Sequence, residues 1–308
     1  MKLLITGACG HIGSHLIERV HKIKKIKEVV LLDNFNAQRY TSLFNLNKKL
    51  KFSFFDVDLS KNRLNKFKKV DYVIHCASHT NAQGSFSIKK EMFRNNIACM
   101  KNIIHYCIKN KSKLIHLSST SVYGKQAKIV NENDDHLLKP QSPYAEIKLI
   151  EENLLKKNKK KLRYVTFRFG TISGVSRGMR FHTAINKFCL NASLNEKIYV
   201  YKTAYNQFRP YLSLKDAFKV FKFCIEKNLF DNEVYNALSG NFTVKQIVKM
   251  IQVYKKKISV KFVNSAIMNQ LSYHVENKKL NKKGLRLNSQ IKLDIKETLN
   301  LFKSFNYK

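Results

Sequence analysis

At 308 residues the chain is long enough for one large domain or two closely joined ones, and 44% apolar residues supply a sizeable core. Lys and Arg number 58 against 21 Asp and Glu, a net charge of +37 that ordinarily marks a nucleic-acid or anionic-membrane partner. The lysines are spread along the chain, however, and the densest runs, 156–161 and 255–257, follow amphipathic helical patterns. With Asn, Ile, Phe and Lys abundant, three prolines and no Trp, the composition resembles the drift of an AT-rich genome. A solvated lysine coat is therefore preferred to a polynucleotide groove, and nucleic acid stands as a disfavoured partner. The six cysteines (Cys9, Cys76, Cys99, Cys107, Cys189 and Cys224) are scattered with no CxxC pair, mostly in apolar segments. That suits reduced thiols in a cytoplasmic protein; no disulfide or metal site is expected. The first apolar run, Leu3 to Ile5, is too short for the ~7–15 residues of an export signal, and no stretch approaches the ~20 of a membrane span. The chain reads as soluble, unprocessed and not inserted in a membrane.

In chain order, KLLIT (2–6) is an apolar strand ending at a glycine, and HIGSHLIERVHKI (11–23) has Ile12, Leu16, Val20 and Ile23 at helical spacing. Gly7, Gly10 and Gly13 lie where the strand turns into the helix. A side chain there would keep a pyrophosphate from the helix N-terminus, whose free N–H groups and positive dipole end attract anions. Gly13 also lets the helix pack closely on the strand. A second strand, EVVLLD (28–33), ends in Asp33, 20 residues beyond Gly13. Dinucleotide folds place an acidic residue there for the adenosine ribose hydroxyls. Its charge favours NAD over NADP, although Arg39 close by keeps NADP in play.

Further strands are expected at 51–55, 71–77, 113–119 and 162–169, with helices at 89–110 and 143–158 between them. This alternation predicts an α/β fold: a Rossmann-type doubly wound parallel sheet covered by helices on both faces. Past residue 170 the rhythm loosens into helices at 183–192, 214–228 and 243–257 with short strands such as KIYVY (197–201). We expect residues 1–170 to form a nucleotide-binding domain, and residues 171–308 a smaller, mainly substrate-binding region interleaved with it.

The segment PQSPYAEIK carries the main chemistry. Ser142 can cap a helix that starts with Pro143, which puts Tyr144 and Lys148 on one face, a turn apart. A phenol with an ordinary pKa near 10 is a poor base at neutral pH, and an adjacent ammonium favours the phenolate. Such a pair makes a proton-transfer group for an alcohol or ketone. Ser118, Ser119, Thr120 and Ser121 close the fifth strand at the carboxyl edge, where these sheets bind ligands, and each could hold the substrate oxygen.

Taken together, TGACGHIGSHL, FFDVDL, HCAS, FRNNIACM, SSTSVYG, PQSPYAEIK, YNQFRPYLSLKDA and SYHVENKKLNKKGLRL resemble, in order, the extended short-chain dehydrogenases/reductases of the NAD-dependent epimerase/dehydratase family. The resemblance covers nearly the whole chain. It implies NAD held by Gly7, Gly10, His11, Ile12 and Gly13 at the glycine loop, by Asp33 and Asn34 at the ribose, and by Asp56 and Val57 at the adenine. Ala77 and Asn96 would also lie beside the cofactor, as would Tyr144 and Lys148. It assigns catalysis to Ser119, Tyr144 and Lys148, and it implies substrate contacts at Thr120, Thr171, Arg180 and Arg209, with Arg209 on a pyrophosphate. Many members have Asn where Thr171 stands. Arg177 reads as a surface residue. Sugar 4,6-dehydratases have an Asp-Glu pair after the catalytic hydroxyl; Thr120 and Ser121 stand here and cannot do carboxylate work.

The expected activity is therefore an NAD-dependent nucleotide-sugar epimerase of the 4-epimerase kind, working through a transient keto-sugar. Alternatives are an NAD-dependent sugar-nucleotide dehydrogenase or reductase, and a non-catalytic NAD- or RNA-binding member of the fold. A homodimer is implied by the same resemblance.

Overall fold

The computed structural model describes residues 1–80, 84–126, 129–264 and 273–304. Ser272, the first residue of the C-terminal family-like segment, lies outside them. The first half runs β1 (Lys2–Thr6), α1 (His11–Arg19), β2 (Glu28–Asp33), β3 (Lys51–Asp56), β4 (Tyr72–His75), α2 (Lys89–Asn110), β5 (Lys113–Ser119), β6 (Ile129–Val130), α3 (Pro143–Lys157) and β7 (Tyr164–Phe169). The second half runs β8 (Thr171–Ser173), α4 (Ala184–Ser193), β9 (Ile198–Tyr201), β10 (Phe208–Ser213), α5 (Leu214–Lys227) and β11 (Val234–Ala237), then β12 (Gly240–Thr243), α6 (Val244–Tyr254), β13 (Val260–Val263), β14 (His274–Val275), α7 (Lys278–Lys282) and α8 (Ile291–Asn300).

Seven strands form one sheet in the order β11-β7-β5-β4-β1-β2-β3, and every pairing in it is parallel. Its first edge strand, β11, comes from beyond residue 170. Parallel strands covered on both faces read as continuous apolar runs, and all six residues of β7 are buried. Along β1 the alternation of faces divides the core: Leu3 and Ile5 join Leu16, Ile17, Val220 and Phe221 on the α1 and α5 side. Leu4 joins Met100, Ile103 and Leu155 under α2 and α3. Each such fully buried aliphatic side chain contributes roughly 1.5–3 kcal/mol. The helix expected over 11–23 ends at Arg19 and continues as a 3-10 turn, Val20–Lys22.

The second half builds its own core from Ile185, Phe188, Val200, Ile247, Ile251 and Ile295. A small sheet, β12-β10-β8, holds Thr171 on β8 and Arg209 on β10. The lysine run at 156–161 lies exposed or half-exposed over the last turn of α3 and the residues just beyond, where positive charge suits the helix dipole. No described helix is long and apolar enough to cross a membrane.

Candidate active site

The strand order reverses between β1 and β4, and at their carboxyl ends lies a cleft of about 410 Å³. Gly7, Gly10, His11, Ile12, Gly13, Asp33, Asn34, Val57 and Ala77 all line it. Gly7 turns the chain with φ of 63°, and a Cβ there would lie 2.6 Å from the Ala77 nitrogen. A Cβ on Gly13 would lie 2.3 Å from the Gly7 carbonyl oxygen. No side chain caps the first turn of α1, so its N–H groups face the cleft as an anion site. The Asp33 carboxylate accepts hydrogen bonds from the Cys9 and Phe35 backbone N–H groups at 2.9 and 3.0 Å, which fixes it at the rim. An uncapped helix end, glycines with no room for a side chain and an anchored carboxylate fit a dinucleotide.

Asp56 and Asn96 lie off the cleft they were expected to line. Asp56 is exposed at the end of β3, and Asp58 and Leu59 line the cleft in its place. Asn96 is buried and clamps the chain at His79, accepting from its N–H at 2.8 Å and donating to its carbonyl at 3.0 Å; the neighbouring Asn95 faces the cleft. Arg180, expected on the substrate, lines the dinucleotide cleft and donates to the Thr80 hydroxyl. Burial, with Arg39 nearby, brings its pKa down to about 10 although Tyr144 opposes that. Arg177 pairs at the surface with Glu18 at 3.3 Å. Burial, followed by the Arg180 charge, pushes the His11 pKa down to about 3, and the neutral ring is tied to Ser176 at 2.8 Å.

Tyr144 opens α3, whose N-cap Ser142 accepts from the Ala145 N–H at 3.2 Å, with Pro143 in the first turn. One turn on, the Lys148 ammonium lies 5.8 Å from the Tyr144 ring centroid. Lys148 is 4% exposed in a protein whose other lysines form a coat. Burial alone would lower its pKa, but the Glu151 carboxylate at 2.8 Å outweighs it and the pKa stands above the usual lysine value. Glu151, equally buried, is held down at about 2 by Lys148 and His116. His116 on β5 contacts the same carboxylate oxygen at 2.9 Å.

The hydroxyls that end β5 and open the turn after it separate by direction. Ser118 donates to Glu152 at 2.5 Å, and Glu152 receives Arg168 through two bonds of 3.0 and 2.7 Å. Thr120 is buried, 3.3 Å from both the Phe169 carbonyl and the Tyr273 hydroxyl. Ser119 stays half-exposed and receives the Ser121 N–H and hydroxyl at 3.2 and 2.9 Å. Burial raises the Tyr211 and Tyr273 phenol pKa values, Tyr211 to about 12, and the nearby Arg209 charge offsets part of both. Tyr273 also lies near Tyr144, so Arg209, Tyr273 and Tyr144 share one region. The Arg209 Nε and Tyr211 hydroxyl are buried with no hydrogen-bond partner among the described residues. Thr171 pairs in register with Tyr211 on the same small sheet. Among the described residues no His, Cys, Asp or Glu cluster could hold a metal ion.

Sequence reasoning overlooked Glu151, Glu152, Arg168 and Tyr273. Glu151 was visible as a carboxylate three residues after Lys148 on one helix face; the others come together only through packing.

The family model for the NAD dependent epimerase/dehydratase family matches residues 3–237. A dTDP-D-glucose 4,6-dehydratase of Dictyostelium discoideum is 29% identical over 84% of this chain, which spans 62% of that protein. An ADP-L-glycero-D-manno-heptose-6-epimerase of Brachyspira hyodysenteriae is 25% identical over 85% of this chain and 83% of its own length. The fold is shared with the UDP-glucuronic acid 4-epimerase of Bacillus cereus, solved with UDP-glucuronic acid and NAD. That match has a TM-score of 0.89 at 24% identity over 99% of this chain and all of the other. The chain belongs to the NAD-dependent epimerase/dehydratase family.

Proposed function

We propose that this protein is an NAD-dependent nucleotide-sugar epimerase that inverts a sugar carbinol, C4 by the family likeness, through a transient keto-sugar. The observation that carries the reading is the Lys148 ammonium, buried under the Tyr144 ring next to a cleft built for a dinucleotide. NAD bound there would supply the hydride acceptor and donor, with Gly7, Gly10, Gly13 and the α1 N-terminus on its pyrophosphate and Asp33 on its adenosine ribose. Val57, Asp58 and Ala77 would shape the walls, and Arg180 would reach the cleft from the second half. Tyr144 would take the proton of the sugar hydroxyl and return it, while Ser119 holds the same oxygen. Lys148 would favour the phenolate. Arg209, its buried Nε without a protein partner among the described residues, would meet the diphosphate with a planar fork. Thr171 and Thr120 would border the sugar.

A 4,6-dehydratase reading has a relative of that name behind it. Against it, Thr120 and Ser121 follow Ser119 where elimination of water calls for an acid and a base, and the Thr120 hydroxyl is engaged with Phe169 and Tyr273. The proposal includes a cytoplasmic homodimer, supported by the family likeness and, for the compartment, by six free thiols. To test it, the NAD-loaded protein is incubated with UDP- and dTDP-hexoses and the products are followed by proton NMR. A C4 epimer without net NADH is expected. A 4-keto-6-deoxy product would replace the reading with dehydration, and stoichiometric NADH with dehydrogenation.

A further inference from the structure

Behind the Tyr144–Lys148 pair lies a second layer of charge. Glu151 sits three residues after Lys148 on α3, 1% exposed, and its Oε2 takes both the Lys148 ammonium at 2.8 Å and His116 Nε2 at 2.9 Å. An ionised carboxylate can only accept, so His116 donates to it through Nε2. The Nδ1 of the same ring lies 3.3 Å from the Thr166 hydroxyl on β7. The other titratable groups around this pair are Tyr144 on the same helix, His75 and Cys76 at the end of β4, and Cys99 on α2. Burial pushes His75 down to about 3, and Cys76 and Cys99 up to about 12, so these three are neutral at working pH. The carboxylate that balances the buried ammonium is Glu151.

We propose that Glu151 is a positioning residue of the catalytic centre: its buried carboxylate fixes the Lys148 ammonium beneath Tyr144 and keeps the positive charge on the lysine, so that the proton the site gives up comes from the tyrosine. The proposal rests on the reading of Tyr144 as the proton-transfer group. The reasoning is a choice between two arrangements with the same proton count. Ammonium beside phenolate is the working form, and amine beside phenol is the idle one. Burial favours the uncharged arrangement, because a lysine taken out of water without a counter-ion loses its proton easily. A fixed carboxylate 2.8 Å from Nζ reverses that preference. His116, donating from the other side, keeps the carboxylate ionised and aimed.

The test uses the protein without NAD or sugar. The Tyr144 phenolate is followed by ultraviolet absorbance against pH, with the Tyr144→Phe protein as the blank, in the wild type and in Glu151→Gln. With the carboxylate gone, the buried site should give up its first proton from the lysine. The Tyr144 signal should then appear at least about one pH unit higher than in the wild type. Glu151→Asp, which draws the charge back by one methylene, should shift the signal in the same direction by less, and it decides the matter if the Gln variant does not fold. An unchanged titration, or one displaced to lower pH, would overturn the proposal, since it would mean that the carboxylate merely cancels the ammonium's field or only braces the helix. A shifted titration in a protein that epimerises no sugar would leave this proposal standing and remove the functional one.

Discussion

Replacing Gly13 and Gly10 by alanine, one at a time, should separate two demands on the glycine loop. A Cβ on Gly13 would stand 2.3 Å from the Gly7 carbonyl oxygen and 2.7 Å from that of Ala8, both backbone atoms of the turn. Ordinary contact begins near 3.4 Å, so α1 would have to retreat by about 1 Å, an overpacking that costs about 1–3 kcal/mol. The same retreat carries an N–H···O bond of ~2.9 Å out of reach of a pyrophosphate fixed by the rest of the cleft. Loss of one charge-assisted bond costs about 1.5–3 kcal/mol, roughly a tenfold to hundredfold loss of NAD affinity. At Gly10 the new atom meets only the Gly7 oxygen, at 3.2 Å, which a few tenths of an ångström relieve, but it faces the cleft. Urea unfolding should therefore show Gly13→Ala destabilised and Gly10→Ala within about 0.5 kcal/mol of the wild type, and calorimetric titration should show both weakened for NAD. Wild-type stability and NAD affinity in Gly13→Ala would refute the reasoning.

Three further outcomes are expected. Tyr144→Phe should keep the fold and NAD affinity and lose about 10²–10⁴-fold in turnover, with a smaller loss for Ser119→Ala; steady-state rates on the accepted sugar check both. Arg209→Ala should weaken nucleotide-sugar binding by about 1.5–3 kcal/mol and NAD binding much less, as measured by separate calorimetric titrations. Equal weakening of the two ligands would place Arg209 elsewhere. Acid should destabilise the fold: burial holds His11, His15 and His75 near pKa 3, against 6.5 in the unfolded chain. Their neutral forms are favoured in the folded state, so this stability is complete above pH 6.5 and is lost as pH falls toward 3. Each histidine accounts for up to about 1.4 kcal/mol per pH unit in that window. Urea midpoints that do not change between about pH 7 and about pH 5 would contradict it.

The glycine turn, the Asp33 strand end and the helix that aligns Tyr144 with Lys148 were all legible in the sequence, because each is a local code. A buried parallel strand is a continuous apolar run, a helix repeats its face every three to four residues, and Ser142-Pro143 marks where one begins. Local codes do not say what a side chain meets across the fold. Four consecutive hydroxyls with the same chemistry end β5 and open the turn after it. Glu152 from α3 claims Ser118, and Phe169 and Tyr273 claim Thr120, which leaves Ser119 half-exposed beside Ser121. Asp56 and Asp58, or Asn95 and Asn96, differ by one or two positions in sequence, yet one of each pair lines the cleft and the other does not. Arg180 reaches the cleft because Gly178, with no side chain, lets its loop lie against the Cys9 and Gly10 carbonyls. The sequence by itself determined the elements, their order and the pairing of Tyr144 with Lys148. Only the tertiary structure decided that this pair is buried and that Glu151 is held against Lys148. Burying an ammonium costs several kcal/mol unless charge and hydrogen bonds meet it, and the histidine that orients Glu151 toward Lys148 comes from β5, 35 residues earlier in the chain.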